Sequence, residues 1–248
     1  MDALIVRSME RDIGLVDHLE ELRRRLIVVG ISVLGLGVFS FLISDFWFRL
    51  ATAPILDIIN SLYFFSPFEA FLTKLKISAV SGIILSSPVI FTQLWQFISP
   101  GLYQSEKKLI LILTSSCTVL FLIGVLFAYF LVIPTALRFF LDFRSSSLTP
   151  LISLGSYLSF FFSFLITFGA MFDVPAVLLG MIWLRVLETQ FLICQRKTVI
   201  VLIFILAAIF TPTSDPLTQC LLAIPLWILF EVSILAGKII EKRQNQPS

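Results

Sequence analysis

Long apolar runs alternate with short charged segments along this chain, and the runs have the length of membrane-spanning helices. Three of them, residues 26–44, 77–105 and 109–137, contain no Asp, Glu, Lys or Arg. Two further runs, 145–184 and 198–237, carry only one and two acidic residues and no basic residue. A bilayer core about 30 Å thick needs roughly 20 apolar helical residues. Because the runs are continuously apolar rather than alternating, they indicate helices and not barrel strands.

We predict an all-α polytopic membrane protein with six transmembrane helices in a single membrane domain over residues 1–248. The last apolar run would be about 60 Å long as one helix, so the prolines and turn formers of 211–216 should divide it into a hairpin. Helices five and six are then short, and prolines along the chain favour a concave bundle. The predicted spans cover about residues 26–44, 77–98, 109–133, 154–182, 198–211 and 216–237, with tails 1–25 and 238–248.

The segment between the first two spans, 45–76, is itself mostly apolar and contains Pro54 and the block 65–71. We expect it to form a helix at the membrane interface or a cap over the bundle rather than a floppy linker.

The distribution of basic residues predicts the orientation of the chain. Of the 18 Lys and Arg residues, 13 fall in the two tails and in the segments 98–108 and 183–197. The other five fall in the segments on the opposite side of the membrane. Since basic residues are retained in the cytoplasm, both termini are predicted to be cytoplasmic.

Composition excludes several classes of protein. With 58% hydrophobic and 14% charged residues, the chain has too little polar surface for a soluble fold of this size. Its three cysteines are widely spaced and it has one histidine, which gives no metal-ligand pattern, and we expect no cofactor. We find no catalytic signature of an intramembrane enzyme and no phosphate-binding loop, and we expect no nucleic-acid partner.

Two glutamates at the cytoplasmic side each allow two interpretations. Asp17 and Glu20 form a capping-box pattern that should start a helix, and Glu21 then lies one turn before Arg24 and Arg25. Glu21 could simply form an i,i+4 ion pair there, or it could face a groove and receive a cationic ligand. Glu106 could simply stabilise the N-terminus of the helix that follows it, where the helix dipole favours a negative charge. Alternatively, it could belong to the same ligand site as Glu21.

Together these segments resemble the TatC family, the multi-spanning subunit of the twin-arginine protein translocase. The resemblance extends over nearly the whole chain, with its blocks in the family's order. The blocks are 18–25, 66–71, 87–106, 127–130, 168–175, 210–219, 222–225 and 230–231.

The resemblance implies a receptor for signal peptides that carry a consecutive Arg-Arg pair on folded cargo. Two guanidinium groups require two carboxylates at a fixed spacing, because Arg binds carboxylate through directed hydrogen bonds. Glu21 and Glu106 match the family's two acidic positions, and Arg23 and Arg25 match arginines that could orient those acids. The remaining residues implied at this site are His18, Gln93 and Phe97. His18 could tune Glu21 or simply be solvated.

Four polar residues near or within the later spans are the second candidate group. Asp173 could bond to a neighbouring Ser or Thr or contact a partner's helix, and Asp215 could merely cap helix six. The resemblance implies that single-span TatA/TatB-type subunits dock along helices five and six. It also implies a homo-oligomer within a hetero-complex, driven by the proton-motive force. The candidate docking residues are Asp173, Asp215, Gln219 and Glu231.

The resemblance implies location in the cell inner membrane, with a thylakoid or mitochondrial membrane as the alternative. The alternative function is a proton-coupled small-solute transporter that uses Asp173, Asp215 and Glu231. A carrier of this kind would be expected to contain two internal sequence repeats that enclose a cavity at the membrane midplane. No such repeat is detectable in this sequence.

Overall fold

A computed structural model describes residues 2–56, 58–59, 62–98, 107–142, 151–184, 186–210 and 216–244. The first four helices are α1 (Asp2–Leu42), α2 (Ser44–Leu56), α3 (Pro67–Ile98) and α4 (Lys107–Phe127). A π-helical turn (Ala128–Val132) joins α4 to α5 (Ile133–Asp142) without interruption. The remaining helices are α6 (Leu154–Phe172), α7 (Val174–Trp183), α8 (Thr189–Cys194), α9 (Arg196–Phe210) and α10 (Pro216–Gln244).

Five helical segments of the described residues are long and apolar enough to cross a membrane: His18–Leu42, Pro67–Ile98, Ile110–Leu141, Leu154–Trp183 and Leu222–Lys242. The expected all-helical membrane architecture is therefore confirmed. The predicted fifth span corresponds to α9, whose 15 residues extend only about 22 Å. A helix of this length requires a locally thinned bilayer or neighbouring protein.

Two predicted helix starts were wrong. The backbone is already helical from Asp2, so the capping-box residues Asp17 and Glu20 lie inside α1 and do not begin it. Residues 2–12 contain six good helix formers (Ala, Leu, Met, Glu and two Arg) and no Gly or Pro, so the helix can extend past a local start signal. Likewise α3 begins at Pro67, about three turns before the predicted start at residue 77. Proline is favoured in the first helical turn because its missing N–H needs no partner there.

The segment that was predicted to form a helix or a cap contains α2, which packs on α3 and α5. Lys74 of α3 donates to Asp45 of α2 at 2.9 Å. The hydrogen bond and positive charge of Lys74 lower the pKa of Asp45 below its ordinary value. The ion pair therefore joins the two helices at the end of the bundle opposite the N-terminal half of α1.

The π-helical turn is explained by the proline that follows it. Pro134 has no N–H and its ring would clash with the carbonyl group four residues earlier in a regular α-helix. The N–H of Ile133 bonds instead to the carbonyl of Ala128, five residues back. The wider turn accommodates the proline while the helix continues.

Phenylalanines of α6 supply much of the core, including Phe161, Phe164 and Phe168, each buried. They pack against α4, where Gly124 lies so close to α6 that an added Cβ would be 2.5 Å from the carbonyl oxygen of Phe168. Likewise, a Cβ added at Gly82 of α3 would lie 2.8 Å from the backbone of Gly37 in α1. Because these glycines have no side chain, the backbones of the neighbouring helices can come into direct contact.

Glu69, in the first turn of α3, is hydrogen-bonded to residues at the start of α6. Its Oε1 accepts hydrogen bonds from the Ser153 hydroxyl at 2.6 Å and the Gly155 N–H at 2.8 Å. Its Oε2 accepts from the Phe65 N–H at 2.8 Å. A short backbone bridge between Tyr63 and Ser153 lies beside these bonds.

We expect Glu69→Ala to loosen this end of the bundle, because three donors lose a charged acceptor together. Hydrogen exchange should show faster exchange of the Phe65 and Gly155 amides. Glu188→Ala is the matched control, since Glu188 is exposed and its side chain caps no helix. Unchanged exchange at both amides would contradict the role assigned to Glu69.

Candidate functional site

A polar hollow of about 360 Å³ lies between the charged turn of α1 and the last turns of α3. The α1 residues recur at intervals of three and four, so they share one face of the helix. Gln93 and Gln96 are likewise three residues apart on α3. The lining residues are Glu21, Arg24, Arg25, Val28, Gln93 and Gln96.

Arg25 is hydrogen-bonded both to Glu21 within α1 and to two glutamines of the neighbouring α3. The Arg25 Nε donates to Glu21 Oε1 at 3.0 Å, and Arg25 Nη2 donates to the same oxygen. Arg25 Nη1 donates to Gln96 Oε1 at 2.8 Å and more weakly to Gln93 Oε1 at 3.4 Å. The i,i+4 ion pair expected from the sequence is thus confirmed, and it is anchored across the helix interface.

Glu21 nevertheless remains accessible. The exposed fraction of the Glu21 side chain is 33%, and that of the Arg25 side chain is 20%. None of the described groups donates to its second oxygen, Oε2. Within the described part of the chain, the hollow therefore presents a partly exposed carboxylate that one guanidinium already orients.

The other residues expected here lie around the hollow in different ways. The His18 ring stacks on Phe97, with centroids 4.5 Å apart and planes 16° apart. This contact places both rings next to Gln96, although tuning of Glu21 by His18 stays a prediction. Arg23 is exposed and does not line the hollow, because it is two residues from Glu21 and so faces away.

Gln96 was not among the predicted site residues, and Arg24 was named only as a neighbour of Glu21 on the helix. Helical spacing could have assigned both to the site, since Arg24 is three residues after Glu21 and Gln96 three after Gln93. Glu106 lies outside the described residues, so its pairing with Glu21 stays a prediction.

Asp173 occupies the break between α6 and α7, and its side chain is buried. Among the described residues, no hydrogen-bond donor reaches its Oδ1. In the part of the chain that the structure describes, this oxygen therefore has no Ser or Thr partner, which was one of the two alternatives for Asp173. Elsewhere in the core, the Trp95 indole N–H donates to the Cys117 sulfur, with nitrogen and sulfur 3.3 Å apart.

The polar residues of the last two helices hold α9 against α10. Glu231 Oε2 accepts from Arg196 Nη2 at 2.7 Å, and Gln219 Nε2 donates to the Phe204 carbonyl at 2.9 Å. Asp215 lies outside the described residues. Within those residues, no group of three or more His, Cys, Asp or Glu side chains could hold a metal ion.

Comparison with known proteins places the chain in a family. Residues 17–225 match the family model described as Sec-independent protein translocase protein (TatC). The chain is 38% identical to the TatC protein of Carboxydothermus hydrogenoformans, covering 95% of this chain and 97% of the relative. It is 41% identical to the TatC protein of Magnetococcus marinus, covering 96% and 89%.

A solved structure agrees with the sequence relatives. The crystal structure of the twin-arginine translocase receptor TatC is 39% identical, covers 90% of this chain and 99% of its own, and gives a TM-score of 0.79. The match confirms the resemblance and disfavours both the small-solute transporter and the intramembrane enzyme. The chain belongs to the TatC family of Sec-independent protein translocase proteins.

Proposed function

We propose that this chain is the cargo-receptor subunit of a twin-arginine translocase in the cell inner membrane. In this proposal Glu21 and Glu106 each bind one arginine of a consecutive Arg-Arg pair in the signal peptide. The observation that carries the proposal is the accessible carboxylate of Glu21, which already binds a guanidinium, that of Arg25. A surface that accepts one guanidinium in directed hydrogen bonds has the chemistry to accept another.

The charges of the hollow explain why a second acid is needed. One carboxylate, that of Glu21, faces the guanidinium groups of Arg24 and Arg25. The lining that the described residues provide is therefore net positive and would by itself repel a dicationic peptide. Glu106 supplies the missing negative charge in our proposal, so each acid alone binds weakly and the pair binds the Arg-Arg motif.

Arg25 acts as a positioning residue in this arrangement. Because Gln96 and Gln93 hold its third nitrogen, Arg25 can keep Glu21 Oε1 in place while Oε2 accepts the incoming arginine. The glutamines also leave the hollow polar, which keeps the ligand site hydrated and open to the cytoplasm in the predicted orientation.

The partners of the proposed receptor are single-span TatA/TatB-type subunits, assembled with it into a hetero-complex that contains several copies of this chain. We place their docking along α9 and α10. Support comes from the shortness of α9 and from its exposed Val201, Leu202 and Ile205. The proton-motive force supplies the energy in this proposal.

The test is binding of fluorescent signal peptides to the full chain in lipid nanodiscs. We expect an Arg-Arg peptide to bind at least tenfold more tightly than its Lys-Lys counterpart, because only guanidinium groups donate in the planar, forked geometry. Equal affinity for both peptides would reject a guanidinium-specific site.

A further inference from the structure

An apolar groove of about 370 Å³ lies on the membrane-spanning part of the bundle, between α2, α3, α4 and α6. Its volume is within the range of roughly 300–1,000 Å³ that is usual for small-molecule sites. Its open side is formed by exposed apolar side chains, among them Leu85, Leu122 and Leu126. Because these residues belong to membrane-spanning helices, the groove faces the hydrocarbon region of the bilayer. The surrounding molecules there are the acyl chains of lipids.

A lysine stands at the end of this groove that is nearer α2. Val80 of α3 and Phe162 of α6 line the groove, and Lys76 and Ser159 precede them by one turn on the same helix faces. Lys76 Nζ donates to the Ser159 hydroxyl at 3.2 Å, which places the ammonium group between the two helices. The ammonium group has three donors, so two remain for another acceptor.

Lys76 differs from the two neighbouring charged residues of α3, Lys74 and Glu69, in having no oppositely charged partner in the described part of the chain and few hydrogen bonds. Lys74 is paired with Asp45, and Glu69 is occupied by three donors. Among the described residues, the structure has no carboxylate within 4.0 Å of the Lys76 ammonium. An exposed cation thus lies directly beside the apolar groove.

We propose that this groove and Lys76 form a binding site for a phospholipid with an anionic headgroup, such as phosphatidylglycerol. One acyl chain lies in the groove, and the phosphate accepts hydrogen bonds from the Lys76 ammonium. The site is at the end of the bundle opposite the Glu21 hollow, in the outer leaflet for the predicted orientation. Its occupant would fill the groove between α3 and α6 and support their spacing.

Trp47 lines the groove and serves as the reporter. We would titrate the full chain in detergent with phosphatidylglycerol or phosphatidylcholine brominated on the acyl chain, and measure tryptophan quenching. Trp47→Phe defines the part of the signal that comes from the groove. We expect that part to saturate at an about fivefold lower concentration of the anionic lipid, as for one cation near a membrane surface.

Three charge variants make the test specific. Lys76→Gln should abolish the preference for phosphatidylglycerol, and Lys76→Arg should keep it. Lys238→Gln removes an exposed lysine from the last turns of α10 and should leave the preference intact. Equal quenching by both lipids in the unaltered chain, or an undiminished preference in Lys76→Gln, would overturn the proposal. Far-ultraviolet circular dichroism would verify that the variants keep their helix content.

Discussion

Substitution of Glu21 by Gln is expected to weaken binding of an Arg-Arg peptide by about tenfold to a hundredfold. A hydrogen bond to a charged group contributes about 1.5–3 kcal/mol, which corresponds to that range. The partial exposure of Glu21 favours the lower half of it. The change also leaves Arg24 and Arg25 without their acid, so the hollow becomes more repulsive toward arginine. Fluorescence anisotropy of a labelled peptide with the nanodisc-embedded chain would measure the effect.

Glu20→Gln provides the matched control for this prediction. Glu20 precedes Glu21 directly, is exposed and does not line the hollow. The control removes the same charge from the same turn of α1, so it accounts for any general electrostatic attraction of the peptide. Equal losses in Glu20→Gln and Glu21→Gln would mean that the charge of the whole segment, and not the hollow, attracts the peptide.

Substitution of Gly124 by Leu is expected to cause the largest loss of stability, roughly 3 kcal/mol or more. An added Cβ would lie 2.5 Å from the Phe168 carbonyl oxygen and 2.8 Å from the Phe172 Cβ. A backbone oxygen cannot rotate away, so α4 would have to separate from α6, and overpacking of cores costs about 1–3 kcal/mol even where side chains can adjust. Reversible unfolding in mixed micelles would measure the difference.

Gly30→Leu is the control for Gly124→Leu. Apart from the backbone of its own helix, no atom of the described residues lies within 4 Å of a Cβ added at Gly30, so the new side chain meets open space there. Both changes replace glycine by a better helix former in an apolar helix. If the two variants lost the same stability, the close approach of α4 and α6 would not explain the effect.

The spans could be predicted from sequence because the length of an apolar run directly reflects bilayer thickness. The starts of α1 and α3 could not, because a local start signal does not by itself decide where a helix begins: the helix runs past the capping pattern at Asp17 but begins at the proline at 67. The π-helical turn before Pro134 was also missed in detail, although the proline itself predicted a distortion. Local signals therefore gave the element and left its boundary open.

In the candidate site, too, contacts within one helix could be predicted from the sequence, and contacts between helices could not. The pairing of Glu21 with Arg25 was predictable because both residues belong to one helix and its geometry is fixed. The contact of Arg25 with Gln96 and that of Arg196 with Glu231 join residues 71 and 35 positions apart. Such contacts depend on how helices pack, which the periodicity of one segment does not encode.

The most direct test of the proposed receptor is a double-mutant cycle between the two acids and the two peptide arginines. Each glutamate is changed to Gln in turn, each peptide arginine is changed to Gln in turn, and all affinities are measured in nanodiscs. We predict that Glu21 couples to one arginine and Glu106 to the other, each by about 1 kcal/mol or more. Additive effects for every acid and arginine combination would contradict direct pairing and with it the proposed site.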